Sequence, residues 1–406
     1  MAKTLVFKQQ ENTRVPFLRG ILTHSLQDAG LKFDEAYHLA SRIRSSLAKS
    51  AEITSEELRT RVSAQLQAHY DPAIAERYNA LSGSPATILV RDQNDQISPF
   101  SRGRHRRFLE SSGLSASEAA TVTTRIYEQL LKDGRKEIDS SSLGYVTYQH
   151  LLHELGSRAA RRYLVWSEFL ESGRPLLLLI GGTVGCGKST IATEIAHRLD
   201  IVRTQSTDML REVMRMMIPK RLLPVLHTSS FNAWEALPFR EEGENHDRLL
   251  AQGYKRQTEL LFVPCEAVIQ RALRERVSLI LEGVHIQPSL LERIPRDADA
   301  IVICVMLAVL SPGELRRRLR GRSTQVPQRR ADRYLSHFDP IWKLQSLLLS
   351  EADQFDVPII PNDDKEKTIH QIMSTINQVL SRQFHGSPQE VFGLEEEPAG
   401  RLQTTV

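Results

Sequence analysis

The eight residues from Gly182 to Ser189 read GTVGCGKS and satisfy the pattern G-x-x-x-x-G-K-[ST]. In such a loop Gly182, Gly185 and Gly187 let backbone N–H groups turn inward around a β-phosphate, and the amino terminus of the next helix adds positive potential. Lys188 is then placed to bridge the β- and γ-phosphates of ATP, Ser189 to ligate Mg2+ through its hydroxyl, and Thr190 to follow in the first helical turn beside the nucleotide. Cys186 lies inside the loop with no chemical role of its own.

A phosphoryl donor needs an acceptor, and transfer is mostly a matter of positioning and charge neutralisation. Asp208, in IVRTQSTDMLREVMR, emerges where a second strand gives way to a helix. It can act as general base toward an acceptor hydroxyl, as a Mg2+ ligand through water, or simply as a helix amino-terminal acid. Glu282 ends the apolar run VSLILEG, a position suited to orienting Mg2+ or its water. Arg211 and Arg215 lie one turn apart and suit an acceptor phosphate or carboxylate, or a solvated face. His285, in LEGVHIQP, either hydrogen-bonds substrate or is a satisfied structural histidine. Eight arginines between Arg316 and Arg333, Arg318 and Arg322 among them, make a solvated face or a lid closing on the transferring phosphoryl.

These residues need a parallel sheet beneath them. PLLLLI before the loop is the continuous apolar run of a buried parallel strand, and Ile191, Ala192, Ile195, Ala196 and Leu199 put one apolar stripe on the helix after it. AIVICVML is a further buried-strand candidate ahead of the basic run. There is no N-K-x-D to read guanine, and the Glu282 strand lacks the Asp-Glu ending of motor ATPases, so a small-molecule kinase fits best.

Upstream the chain repeats itself. LVFKQQENTRVPFLRG near the start returns as ILVRDQNDQISPFSRG near residue 90, and the correspondence continues through Ala36/Ala119, Ile43/Ile126, Ile53/Ile138, Leu66/Leu151 and Tyr78/Tyr163. The expected organisation is two mostly helical units (1–85 and 86–172), an α/β kinase core (173–384) and a disordered acidic tail (385–406).

With a net charge of only +4, the chain is no dedicated nucleic-acid binder, and aromatic residues spaced to stack bases are absent from the arginine run. The three cysteines make neither a disulfide framework nor a zinc pattern, no apolar run is long enough to span a membrane, and the first residues lack a signal-peptide core. A cytoplasmic protein is expected.

Each upstream unit, an apolar strand, a basic turn, PF-R and amphipathic helices ending in RY, resembles the ATP-cone, a nucleotide-binding regulatory module. The resemblance implies that Val6, Lys8 and Arg14 contact nucleotide phosphates. The second unit keeps Val90 and Arg91 but carries DQNDQ where a phosphate site wants bases, so sensor and bare scaffold both stand for it. The ordered blocks GGTVGCGKST, TDMLREVMR, LHTSSFNAW, GYKRQ, LILEGVHIQP and YLSHFDPIWKLQSLL through VPIIPND resemble the 2-phosphoglycerate kinase family over most of Arg174 to Leu380. That implies ATP- and Mg2+-dependent phosphorylation of a small phosphorylated acid, 2-phosphoglycerate, at its 3-hydroxyl. It also gives LHTSSFNAW, otherwise a loop around a core tryptophan, a substrate role through His227, Ser229 and Ser230. Homo-oligomerisation through the upstream units is a further expectation. Competing readings are a kinase of another phosphorylated acceptor such as an inositol phosphate, a non-catalytic nucleotide-gated switch, and a toxin-like kinase of nucleotide sugars.

Overall fold

The computed structural model describes residues 4–8, 13–47, 50–82, 88–238, 245–295, 297–325 and 331–393. The chain divides into two compact units: Met1–Leu89 with Ser98–Phe100 and Gly134–Glu137, and Val90–Ile97 with Ser101–Asp133 and Ile138–Val406.

At the start of the chain β1 (Leu5–Lys8) pairs antiparallel with β2 (Thr13–Pro16) and parallel with β3 (Glu52–Thr54). Helices α1 (Arg19–Asp28) and α2 (Phe33–Ser46) precede β3, and α3 (Ser55–His69) and α4 (Pro72–Ser82) follow it. Leu26, Leu39, Ile43, Ile53, Val62 and Leu66 form the core of this unit. The turn into α3 is fixed by a reciprocal cap, in which Glu57 N donates to Thr54 Oγ1 and Thr54 N to Glu57 Oε2, both at 3.2 Å.

The same order of elements recurs: β4 (Leu89–Arg91), β5 (Ile97–Pro99), α5 (Arg102–Ser111), α6 (Ala116–Lys132), β6 (Glu137–Asp139), α7 (Ser140–Leu155) and α8 (Ser157–Glu171). Sheet orders match too, β2-β1-β3 and β5-β4-β6. The repeated pairs Ala36/Ala119, Ile43/Ile126, Ile53/Ile138, Leu66/Leu151 and Tyr78/Tyr163 are buried at both positions.

The remaining elements build a five-stranded, all-parallel sheet in the order β11-β10-β7-β9-β8. Its strands are β7 (Leu176–Gly181), β8 (Arg203–Ser206), β9 (Leu279–Gly283), β10 (Ile301–Ala308) and β11 (Ile359–Pro361). All six residues of β7 are buried, so both faces of the sheet are covered. The helices are α9 (Lys188–Arg198), α10 (Thr207–Met217), α11 (His246–Arg274), α12 (Pro312–Gln325), α13 (Ala331–Ser336), α14 (Phe338–Gln354), α15 (Lys365–Ser381) and the short α16 (Pro388–Val391). α9 and α15 make one packed pair and α11 and α14 another. The chain leaves β7 toward β9 and β8, then returns to the other side of β7 through β10. Such a reversal opens a crevice at the carboxyl ends of the strands, and the glycine-rich loop follows β7 at that place.

The acidic tail expected from residue 385 begins in ordered chain. Phe392 stacks on Tyr163 with ring centroids 6.3 Å apart, and a Cβ on Gly144 would lie 2.5 Å from the Phe392 ring. Residues 394–406 lie outside the described residues. No described helix is long and apolar enough to cross a membrane.

Candidate active site

The loop after β7 is a backbone structure that side chains would obstruct. Gly182 has φ +136°, and a Cβ there would sit 2.5 Å from the Leu307 carbonyl oxygen. Gly187 caps α9 at φ +87°, and a Cβ there would sit 2.5 Å from Asn362 Nδ2. That amide holds the loop: Asn362 Nδ2 donates to the Cys186 carbonyl at 2.7 Å, and Asn362 Oδ1 accepts from Thr368 Oγ1 at 3.0 Å. Gly185 lies against Leu315 and Leu319, so the arginine-rich α12 packs directly on the loop.

Lys188 begins α9 and donates to the Thr183 carbonyl at 2.9 Å, folding its ammonium over the loop. The next residue points into the sheet: Ser189 Oγ donates to Glu282 Oε1 at 2.9 Å. The register explains this contact, because Glu282 stands between Ile180 of β7 and Ser206 of β8 and is nearly buried at the carboxyl ends of the strands. Thr190 follows, exposed, in the first turn of α9. A hydroxyl and a carboxylate in contact beside inward-turned amides are hard oxygen donors, the kind Mg2+ takes when phosphate and water complete its shell. Among the described residues no cluster of three or more His, Cys, Asp or Glu groups makes a self-sufficient metal cage.

A hydrogen-bonded chain runs from here through His285 and Gln257 to Arg211. Gly283 closes on Thr207, whose Oγ1 and side-chain carbons occupy the space a Cβ would need. Thr207 Oγ1 meets His285 Nδ1 at 3.0 Å, and His285 Nε2 meets Gln257 Oε1 at 3.0 Å. Gln257 Nε2 donates to the carbonyls of Val225 (2.6 Å) and Thr228 (3.2 Å), which orients its amide and makes Oε1 the acceptor. His285 therefore carries its proton on Nε2. Burial drives this imidazole down to about 3, against a smaller upward pull from Asp208, so it is neutral at physiological pH. Both of its nitrogens are engaged by side chains of the protein itself.

The Thr228 carbonyl also accepts from Arg211 at 2.6 Å, and Arg211 reaches Asp208 Oδ1 at 3.4 Å. Asp208 lies in the first turn of α10, one residue inside the helix, because β8 stops at Ser206, which caps it. Its side chain is 63% exposed. Arg215 pairs with Glu212 at 2.7 Å. His227 Nε2 is held at 2.9 Å by the Ile218 carbonyl, whereas Ser229 Oγ accepts from Arg333 at 2.9 Å and Ser230 is buried in the turn that follows. Arg318 bonds Glu314 at 2.6 Å within α12. The side chain of Arg322 lies outside the described residues, as does that of Lys8. In the first unit Val6 is buried, and Arg14 pairs with Glu52 at 3.2 Å and lies over the Phe7 ring.

Three residues to which the sequence reading gave no role in the site now stand out: Thr207, Gln257 and Asn362. Gly283 carried the available signal, since a glycine directly after a strand-end acid marks a close approach by another chain segment.

An ATP cone domain model matches residues 8–82. The chain is 38% identical over 289 residues to a 2-phosphoglycerate kinase from Pyrococcus furiosus, covering 71% of this chain and 92% of that protein. It is 36% identical over 292 residues to the Pyrococcus horikoshii protein of that name (72% and 94%), and 34% identical over 310 residues to the one from Methanocaldococcus jannaschii (76% and 96%).

Proposed function

The chain belongs to the 2-phosphoglycerate kinase family, and from that premise we propose that it moves the γ-phosphoryl of ATP to the free 3-hydroxyl of 2-phosphoglycerate, giving 2,3-bisphosphoglycerate. The observation that carries this reading is the Ser189–Glu282 contact beside Lys188 at the carboxyl edge of the parallel sheet. On this reading Gly182 to Ser189 is the phosphate loop of a P-loop kinase core. Lys188 exchanges the Thr183 carbonyl for the β- and γ-phosphates when nucleotide enters. Ser189 and Glu282 hold Mg2+, which when bound neutralises phosphate charge.

Asp208, exposed at the start of α10, takes the proton of the acceptor hydroxyl, and Arg211 presents its guanidinium to the acceptor's anionic groups. Arg211 Nε is buried without a partner among the described residues, while the other two nitrogens hold the Thr228 carbonyl and Asp208. Ser229 and Arg333 complete the acceptor side. Helix α12, seated on the loop through Leu315 and Leu319, is the lid that brings Arg318 and Arg322 toward the transferring phosphoryl. The two repeated units are tandem ATP-cone modules, the first of them a nucleotide sensor.

The test is ATP consumption by the purified chain with Mg2+, with and without 2-phosphoglycerate, the product identified by mass and Lys188→Ala as blank. Acceptor-dependent ADP together with bisphosphoglycerate is the expected result. ADP formation indifferent to 2-phosphoglycerate would discard the acceptor.

A further inference from the structure

Away from the glycine-rich loop, a cleft of about 390 Å³ opens between α8, the last helix of the second repeat, and α15 of the parallel-sheet core, both in the larger unit. Its walls carry Arg158, Arg161 and Arg162 from α8 and His370, Asn377 and Arg382 from α15 and just beyond it, with no carboxylate among the lining residues. Arg161 is held by the carbonyls of Gly386 (3.0 Å) and Phe384 (3.2 Å). Arg158, Arg162 and Arg382 make no ion pair among the described residues. The carboxylate whose charge reaches Arg162 is that of Glu118, which is engaged by Ser115 at the start of α6. Like charges converging on a concave surface repel one another, an arrangement that a bound anion relieves.

Two further atoms point to a ligand. Arg162 Nε is buried with no partner, and so is Oδ1 of Asn377, a residue only 6% exposed. Buried polar atoms are almost always satisfied, so an orphan donor and an orphan acceptor on one cleft call for a molecule that supplies both halves. Guanidinium forks match phosphoryl oxygens, and an amide oxygen wants a hydroxyl or amine. The cleft has the size of a small-metabolite site.

We propose that this cleft binds a small organic bisphosphate that also carries a hydroxyl, its phosphoryl groups on Arg158, Arg162 and Arg382 and its hydroxyl on Asn377. The ligand would bridge α8 to α15, and α15 in turn is tied to α9 by Lys365–Glu194 (2.7 Å) and Arg198–Glu366 (2.8 Å). Occupancy therefore reaches the helix that begins at Lys188. The site is independent of the kinase reading, because its test reads binding.

The experiment is isothermal titration of the full chain, pre-saturated with Mg2+ and a non-hydrolysable ATP analogue to fill nucleotide sites, using fructose 1,6-bisphosphate and inorganic pyrophosphate as probes. Both should bind the wild type. The exposed double substitution Arg158→Ser/Arg382→Ser should weaken both about tenfold or more with an unchanged urea midpoint. Asn377→Leu should weaken the sugar bisphosphate and leave pyrophosphate as it was. Equal isotherms for wild type and the arginine variant, or no binding of either probe, overturn the site. Equal weakening of both probes by Asn377→Leu overturns the hydroxyl contact.

Discussion

Replacing Gln257 by leucine tests the geometry of the acceptor side most directly. The side chain is fully buried on α11 and makes three hydrogen bonds, so a simple count would assign it three losses. The neighbours reduce that number. The Val225 carbonyl keeps the Thr228 hydroxyl at 2.8 Å, and the Thr228 carbonyl keeps Arg211 at 2.6 Å. Only His285 Nε2–H is left buried without an acceptor, and one such orphan costs about 1–3 kcal/mol. Urea unfolding followed by tryptophan fluorescence reads this selectively, because Trp166, Trp234 and Trp342 all lie in the larger unit. The Thr228 carbonyl also loses one of the two contacts that position it, so Arg211 is placed less precisely. The KM for 2-phosphoglycerate should therefore rise several-fold while that for ATP stays within about twofold. Adding His285→Phe removes the orphan donor, so the double variant should be more stable than the sum of the singles by at least about 1 kcal/mol. Strict additivity, or a rise confined to the KM for ATP, would refute the chain from Thr207 through His285 to Arg211.

Other expectations are equally direct. Glu282→Gln should lower kcat by about two orders of magnitude and raise the Mg2+ concentration needed for half activity, whereas Asp208→Asn should lower kcat without changing that requirement; the reverse pattern would exchange the two roles. Gly187→Ala forces a Cβ against Asn362 Nδ2 at positive φ and should destabilise the chain by about 1–3 kcal/mol, seen as a lower urea midpoint together with weakened ATP binding. Burial holds His285 at about 3 and His105 at about 4, below an unfolded value of about 6.5, so each contributes stability that is complete above about pH 6.5 and is lost as pH falls toward the folded value, with a slope of up to about 1.4 kcal/mol per unit. His105→Gln should flatten the decline between pH 6.5 and 4, and superimposable pH profiles would contradict it.

What could be read from the sequence and what could not divide along a physical line. The strand, the glycine-rich loop and helix α9 are contiguous, so their apolar run, positive-φ positions and buried stripe are written in order. The repeated order of elements could be read because the matching positions follow one another at a nearly constant offset, and five of the matched pairs are buried alike. Glu282 could be singled out since a strand end is a local property. The contacts that arrange the site are of another kind: Thr207 and His285 are 78 residues apart, Ser229 and Arg333 are 104 apart, and Cys186 and Asn362 are 176 apart.

Those long-range contacts also decide what each polar side chain is free to do. His285 has a residue type and position that suit substrate binding, yet Gln257, brought in from α11, engages its second nitrogen. Arg211 is the converse case. Its sequence spacing with Arg215 does not distinguish a binding pair from a solvated face, but the Thr228 carbonyl removes it from solvent while Arg215 turns to Glu212. Both arginines keep a buried Nε without a partner among the described residues, but only Arg211 lies beside Asp208. The same accounting identifies the cleft between α8 and α15, whose arginines lie in two segments more than 200 residues apart and form no pattern along the chain. In this protein the local sequence sets which polar groups stand at the strand ends, and the distant partners determine which of their hydrogen-bonding atoms are already engaged.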